Sequence, residues 1–416
     1  MVALLAAVAV GFVLPGQPAT PKFEQYAGYI EVDPANQAEY FYWLMESQND
    51  PANDPVVLWM TGGPGCSSEL AALFENGPFR VKDDLTLEYN PGSWNTVANM
   101  IYIDQPTDVG FSTGVDKVTD EAQMATNMLA FFKGFFEKYP HLLDNPLYIT
   151  GESFGGHYVP SLGAAILRQE ASGNGIGLNL KAIEIGDGWV DPLLQYGSFA
   201  PYSLKYGLIS SSEAKSLDAA YKRCAELIKI GATTLASVEC NSIESRAIGS
   251  HNPYNRKLPC VVPGLCYNFT LQTDYMNLPA VQQALGVNKD WSVCVRSAIT
   301  AKDSISSFAD EVKYVLESGV PVWTLNGELD IICNYLGVQA WMDDLQWSGQ
   351  SGYNAASYKP WSYKENGQTK VGGSYKAFGN FSYVSVEEAG HMVPQDSPYG
   401  ALYVFKAFLS QPMFSG

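Results

Sequence analysis

Residues Gly151-Glu152-Ser153-Phe154-Gly155 stand between two segments of opposite character. Before them, Leu147-Tyr148-Ile149-Thr150 reads as a short apolar strand leaving the Asn145-Pro146 turn. After them, Val159, Leu162, Ala165 and Ile166 fall at helical spacing. A serine at so sharp a strand-to-helix turn is held in a strained backbone, which is why small residues flank it. Its Oγ then stands clear of the sheet, at the positive end of a helix.

An exposed serine needs a base, and the chain has only four histidines. His141 follows Tyr139-Pro140 in a turn, and His251 sits in the polar stretch Ser250-His251-Asn252-Pro253. His157 lies on the helix that the serine opens and reads as a packed structural residue. His391, in Gly390-His391-Met392-Val393-Pro394, follows the alternating strand Phe381–Val386, which places an imidazole at the carboxyl edge of a sheet. The third member must hold the imidazole's tautomer. Asp330 follows the strand Val320–Leu325 in the loop Asn326-Gly327-Glu328-Leu329-Asp330, whereas Glu328 lies nearer the turn and reads as a surface carboxylate. The order Ser153, Asp330, His391 is that of the α/β-hydrolase fold. Strands near 56–60, 99–103, 147–150, 181–185, 320–325 and 381–386 alternate with helical stretches at 121–138 and 156–170. This pattern predicts a doubly wound mixed sheet. Residues from about 191 to 312 lack strand runs and predict a helical, cysteine-containing insertion capping the site within a single catalytic domain, 20–416.

The strand Val56–Met60 runs into Thr61-Gly62-Gly63-Pro64-Gly65-Cys66-Ser67-Ser68. Glycines let backbone approach a substrate oxygen with amides uncovered. The amides of Gly63 and Phe154 are therefore the expected oxyanion donors.

The segments GGPGCSS, IDQPTDVGFS, GESFGGHYVP, ICNYLG and AGHMVP, in this order, resemble the serine carboxypeptidase family, and the similarity runs from Tyr26 to the C-terminal helix. The resemblance implies an exopeptidase that removes C-terminal residues from peptides or proteins through an acyl-enzyme on Ser153, Asp330 and His391. It also implies recognition of the substrate's terminal carboxylate by two protonated acidic residues, at positions matching Glu75 and Glu152, in a site that includes Thr61, Gly62 and Met392. Two carboxyls in a desolvated cleft cannot both ionise, so one is held neutral and can donate, which favours mildly acidic conditions. Trp189, Tyr196 and Phe199 match the family's pocket for the residue before the scissile bond. With Phe154 and Ile332 they suggest a preference for apolar side chains there. Two positions depart from the pattern: Thr61 and Asp187 stand where the family usually has Asn. Threonine offers a hydroxyl with shorter reach and no amide, which leaves a second reading open, an acyltransferase or esterase on the same triad.

Seven cysteines leave one over. Cys260 and Cys266 are close in sequence, and Cys224 and Cys240 share one helical region. The resemblance pairs Cys66 with Cys294, leaving Cys333 as a free thiol lining the cleft. No Cys/His set has metal-ligand spacing, so neither metal nor other cofactor is expected. A net charge of −18 argues against nucleic acid and anionic membranes as partners. The apolar run from Met1 to Leu14 is too short to span a bilayer and reads as the core of a signal peptide over 1–19. No C-terminal span suggests a membrane anchor. The limited room for a propeptide favours secretion over a vacuole or other acidic compartment. Asn268-Phe269-Thr270 and Asn380-Phe381-Ser382 are glycosylation sequons suited to that route. Oligomeric state is not legible.

Overall fold

The computed structural model describes residues 11–115, 117–262 and 265–410. The first ten residues of the expected signal peptide lie outside these. Phe12 N donates to Gln25 O at 3.3 Å, Tyr275 Oη donates to Pro15 O at 2.9 Å, and Leu14 is buried among core residues.

The described residues form twelve strands: β1 (Gln25–Asp33), β2 (Ala38–Met45), β3 (Val56–Met60), β4 (Phe79–Val81), β5 (Leu87–Tyr89), β6 (Asn99–Ile103), β7 (Leu147–Glu152), β8 (Leu180–Gly186), β9 (Val322–Gly327), β10 (Lys359–Glu365), β11 (Gln368–Phe378) and β12 (Phe381–Val386). Ten of them make one mixed sheet in the order β1-β2-β6-β3-β7-β8-β9-β12-β11-β10, and β4 and β5 pair separately. The six from β6 to β12 are parallel, and the two at each side are antiparallel.

Side-chain alternation divides the core. Val56, Leu58 and Met60 face one side with Ile101, Ile103, Leu147 and Ile149. There they meet Met128, Phe131 and Phe135 from the helix Glu121–Lys138 and Leu162 and Ile166 from the helix Gly155–Ala171. Val57 and Trp59 face the other side with Met100 and Tyr102, against Leu402, Phe405 and Phe408 of the helix Pro398–Ser410. Helices thus cover both faces, as a buried parallel sheet requires. Between β8 and β9 the described residues form no named strand, and their helices carry their own apolar cluster around Phe199, Leu217, Cys224, Cys240 and Ile243. Among the described residues no helix is long and apolar enough to cross a membrane.

Strand order positions the cleft. The chain goes from β3 out to β6, then returns across β3 to β7, so the winding reverses between β3 and β7. Loops leaving the carboxyl ends of two such neighbours diverge and leave a crevice.

Candidate active site

Ser153 leaves β7 with φ of 64°, a left-handed backbone that a non-glycine residue adopts only when its surroundings impose it. The surroundings are close-packed backbone. A Cβ on Gly62 would lie 2.4 Å from Phe154 N and 2.6 Å from Glu152 O, so the loop after β3 and the serine turn can abut only with glycine there. Gly156 does the same at the start of the following helix, where a Cβ would meet Trp189 N at 2.6 Å. Gly63 is exposed, and among the described residues neither its amide nor that of Phe154 donates to a protein acceptor.

The partners of Ser153 come from the parallel pair β9 and β12. Their register sets Gly327 opposite Val386, and Glu328 N and Leu329 N donate to Val386 O and Ala389 O at 3.0 and 2.8 Å. The two following loops therefore run side by side. His391 Nδ1 lies 2.8 Å from Asp330 Oδ2, with both side chains buried. Ile332 N and Cys333 N donate to Asp330 at 3.0 and 3.2 Å and fix the carboxylate. Glu328 is instead engaged by Ser385 Oγ at 2.7 Å. A segment of the insertion backs both loops: Ile331 N donates to Pro253 O, Arg256 N to Leu329 O, and His391 N to Tyr254 O at 2.7 Å. Asp396 holds the histidine loop from below, accepting from Gly390 N at 2.7 Å and Asn255 Nδ2 at 2.8 Å.

His157 is separate from this set. It is wholly buried, its Nδ1 is 2.5 Å from Trp189 O, and its ring stacks on Phe154 with centroids 4.3 Å apart. Burial pulls its pKa down to about 4, so it stays a neutral packing residue. His141 and His251 are exposed.

One lobe of the cleft is lined by Thr61, Gly62, Glu152, Ser153, His391 and Met392, with Tyr254, Leu265, Phe269 and Val293 from the insertion. Glu152 ends β7 and Glu75 follows the helix Glu69–Phe74; both are buried, and their carboxyls lie close enough to shift each other's pKa. Burial pushes the Glu152 pKa well up, and the neighbouring Glu75 adds to it. Burial raises Glu75 as well. Among the described residues neither Glu75 oxygen meets a fixed N–H or O–H donor. The pair therefore holds a proton that it can offer. Thr61 Oγ1 accepts from Trp59 Nε1 at 2.9 Å, which leaves the hydroxyl proton free to donate.

A second lobe shares Gly63, Pro64, Ser153 and Ile332 with the first and continues to Phe154, Trp189, Tyr196 and Cys333. Phe199 is not on this wall. It is fully buried behind it, with its ring 6.4 Å from Trp189 and 6.0 Å from Tyr196. Asn241, Glu244 and Ser304 complete the lobe. The sequence reading missed these because only the tertiary placement of the insertion brings them to Ser153.

Asp187 is buried against Asp330 and accepts from Gly327 N at 3.0 Å. Burial pushes its pKa well up and the neighbouring Asp330 adds to the rise, which favours the neutral acid beside Asp330. It preserves the donor that an Asn would supply.

The disulfides are Cys66–Cys294, Cys224–Cys240 and Cys260–Cys266. Cys333 is free and buried, and burial together with the Asp330 charge keeps it a thiol. Asp330, Cys333 and His391 bring ligand-type atoms within 4.8 Å, but Asp330 and His391 are already paired and the sulfur is protonated. Asn268 is exposed, whereas Asn380 Nδ2 donates to Leu316 O and Val320 O at 3.0 and 3.2 Å.

Comparison with known proteins agrees with this geometry. The model of the serine carboxypeptidase family matches residues 15–411. "Serine carboxypeptidase S10 family member 1" of Dictyostelium discoideum is 37% identical over 98% of this chain and 99% of its own length. Carboxypeptidase Y of Schizosaccharomyces pombe is also 37% identical, over 94% of this chain but 42% of the longer relative. Among solved structures, a prohormone-processing carboxypeptidase from Saccharomyces cerevisiae superposes with a TM-score of 0.85 at 30% identity, covering 95% of this chain and 94% of that one. With a mixed α/β sheet and a serine, histidine and aspartate gathered at its carboxyl edge, the chain belongs to the serine carboxypeptidase family of hydrolases.

Proposed function

We propose that the chain removes single residues from the free C-termini of peptides through an acyl-enzyme on Ser153. His391 takes the serine proton, and Asp330 holds the ring and balances the imidazolium. The amides of Gly63 and Phe154 receive the developing oxyanion. The terminal carboxylate lies in the first lobe, where the Glu75–Glu152 pair and the Thr61 hydroxyl donate to it. Met392 and the insertion's apolar side chains surround the departing residue. The residue before the scissile bond occupies the second lobe, against Trp189, Tyr196 and Ile332, whose apolar faces accept an aliphatic or aromatic stem. His391 passes the serine proton to the leaving amine; water then enters from the first lobe, loses a proton to His391 and attacks the acyl carbon, and Ser153 leaves with that proton as the shortened peptide acid is released.

The buried, proton-sharing glutamate pair beside Ser153 carries this reading, since a neutral carboxyl is a donor matched to a carboxylate. It also favours work at mildly acidic pH. The name of one relative, a vacuolar serine-type carboxypeptidase of Saccharomyces cerevisiae, together with three disulfides, supports the secretory route, by secretion or to an acidic compartment. On that route Asn268 is the available glycosylation site, because Asn380 Nδ2 is committed to two backbone carbonyls and modification would remove one of its two N–H donors.

Thr61 supports a second reading, acyl transfer or ester hydrolysis without carboxylate selection, because its hydroxyl has a shorter reach than the family's usual Asn and no amide to offer a carboxylate. A blocked dipeptide, its C-terminal amide and its ester separate the two. Selective cleavage of the free acid in mild acid supports the carboxypeptidase, and indifference to the terminal group supports the alternative. A fluorophosphonate probe should label Ser153, and labelling that persists in Ser153→Ala removes the nucleophile assignment from both.

A further inference from the structure

The second lobe contains one charged side chain, and nothing among the described residues neutralises it. Glu244 lines the lobe with Ser153, Trp189, Tyr196, Ile332 and Cys333. It lies on the helix Thr233–Ile248, three residues from Asn241 and thus on the same face. Asn241 is committed, accepting from Tyr196 Oη at 2.8 Å. Arg246 and Arg223 on neighbouring surfaces pair with Glu213 and Glu239 instead. Among the described residues Glu244 has neither an ion pair nor a hydrogen bond, although it is partly buried. An unpaired carboxylate at the end of an aromatic and aliphatic wall is matched by a side chain with an apolar stem and a cationic tip.

We propose that Glu244 is a specificity-determining residue that selects lysine or arginine immediately before the scissile bond. This rests on the reading of Ser153 as the acylated residue. The glutamate pair marks the first lobe as the place of the terminal carboxylate, so the acyl side of the substrate must extend into the second. The apolar walls receive the methylenes and Glu244 receives the ammonium or guanidinium. The expectation of a purely apolar preference thereby narrows to an apolar stem with a basic end. The titratable groups facing Glu244 are Tyr196, Tyr254 and Cys333, none of which supplies a cation. Burial alone holds its pKa up at about 7, and a bound cation would favour the ionised form.

Blocked amino-acid esters test this without calling on the carboxylate clamp. Lysine and norleucine share a stem and differ by the ammonium group, so their kcat/KM ratio at about pH 8 isolates the contact. The ratio should favour lysine in the wild type. It should fall roughly 10- to 100-fold in Glu244→Gln, as loss of a charge-assisted hydrogen bond implies. Glu244→Lys should turn the preference toward a glutamate ester. Each ratio is internal to one enzyme preparation, so partial misfolding cannot mimic the result. Changing one charge in a net of −18 leaves the overall field nearly intact, so a general attraction cannot mimic it either. Equal lysine-to-norleucine ratios in wild type, Glu244→Gln and Glu244→Lys would overturn the assignment while leaving Ser153 catalysis standing. Ester hydrolysis that survives Ser153→Ala would overturn both.

Discussion

Replacing both members of the Glu75–Glu152 pair by glutamine separates carboxylate recognition from acylation. In the wild type the two carboxyls are buried against each other, and burial followed by the neighbouring charge pushes Glu152 well above its ordinary range. Below the pair's upper pKa one carboxyl is neutral, and on the proposed reading it would donate to the substrate carboxylate. Above it both are ionised, and a third carboxylate must enter an already anionic pocket. Losing a hydrogen bond to a charged partner costs roughly 1.5–3 kcal/mol, which is roughly 10- to 100-fold in binding. The assay is the ratio of kcat/KM for a blocked dipeptide acid to that for its amide, measured from about pH 4 to pH 8. Whatever affects acylation of both substrates alike cancels in the ratio. The wild-type ratio should be highest in mild acid and decline toward neutrality, approaching tenfold per pH unit once the pair ionises. The double glutamine variant should give a flat ratio, because an amide donates without titrating. Superimposable wild-type pH profiles for acid and amide would refute the clamp.

Buried neutral carboxyls also govern stability. Burial raises Glu184 to about 8, so the folded protein keeps a proton that the unfolded chain releases above its ordinary range. Stability should therefore be fully present in acid and fall from about pH 4.5 to 8, by about 1.4 kcal/mol per pH unit for each such group. Glu184→Gln should raise Tm at pH 8 and leave it nearly unchanged at pH 4. An equal shift at both would reject the linkage. Asp187→Asn should keep kcat/KM within about threefold in acid, because the amide supplies the same donor to Asp330. A loss on the order of 10⁴-fold would show that the carboxyl itself is required. Non-reducing peptide mapping should find three bridges, with Cys333 free and slow toward alkylating reagents until the protein is unfolded. Rapid native alkylation of Cys333 would contradict its burial.

All six parallel strands were legible, five as largely apolar runs and Phe381–Val386 as an alternating one, because a strand covered on both faces keeps mostly apolar side chains. The four antiparallel strands at the sides were not read. In Lys359–Glu365, most side chains are exposed or half-exposed. In Gln368–Phe378, Gly372 and Gly373 sit where the pairing with β10 shifts register, so the segment reads as a turn. The site divides along the same line. Ser153, Asp330 and His391 each follow a strand that the sequence announces, and parallel pairing alone brings their loops to one edge. Tyr254, Asn241 and Glu244 come from the insertion, whose helices show which face is apolar but not where the unit docks. His251 drew notice to a polar stretch, yet it is Pro253 O and Tyr254 O beside it that brace the triad loops. The partnership of Asp187 with Asp330 was hidden for the same reason, since it spans β8 and β9.

A synthetic peptide incubated with the protein in mild acid, once with a free C-terminus and once amidated, tests the central claim most directly by mass spectrometry. The account predicts a ladder of products, each shorter by one C-terminal residue, from the free acid alone, and none from Ser153→Ala. Internal fragments, equal attack on the amidated peptide, or a ladder that survives Ser153→Ala would contradict it.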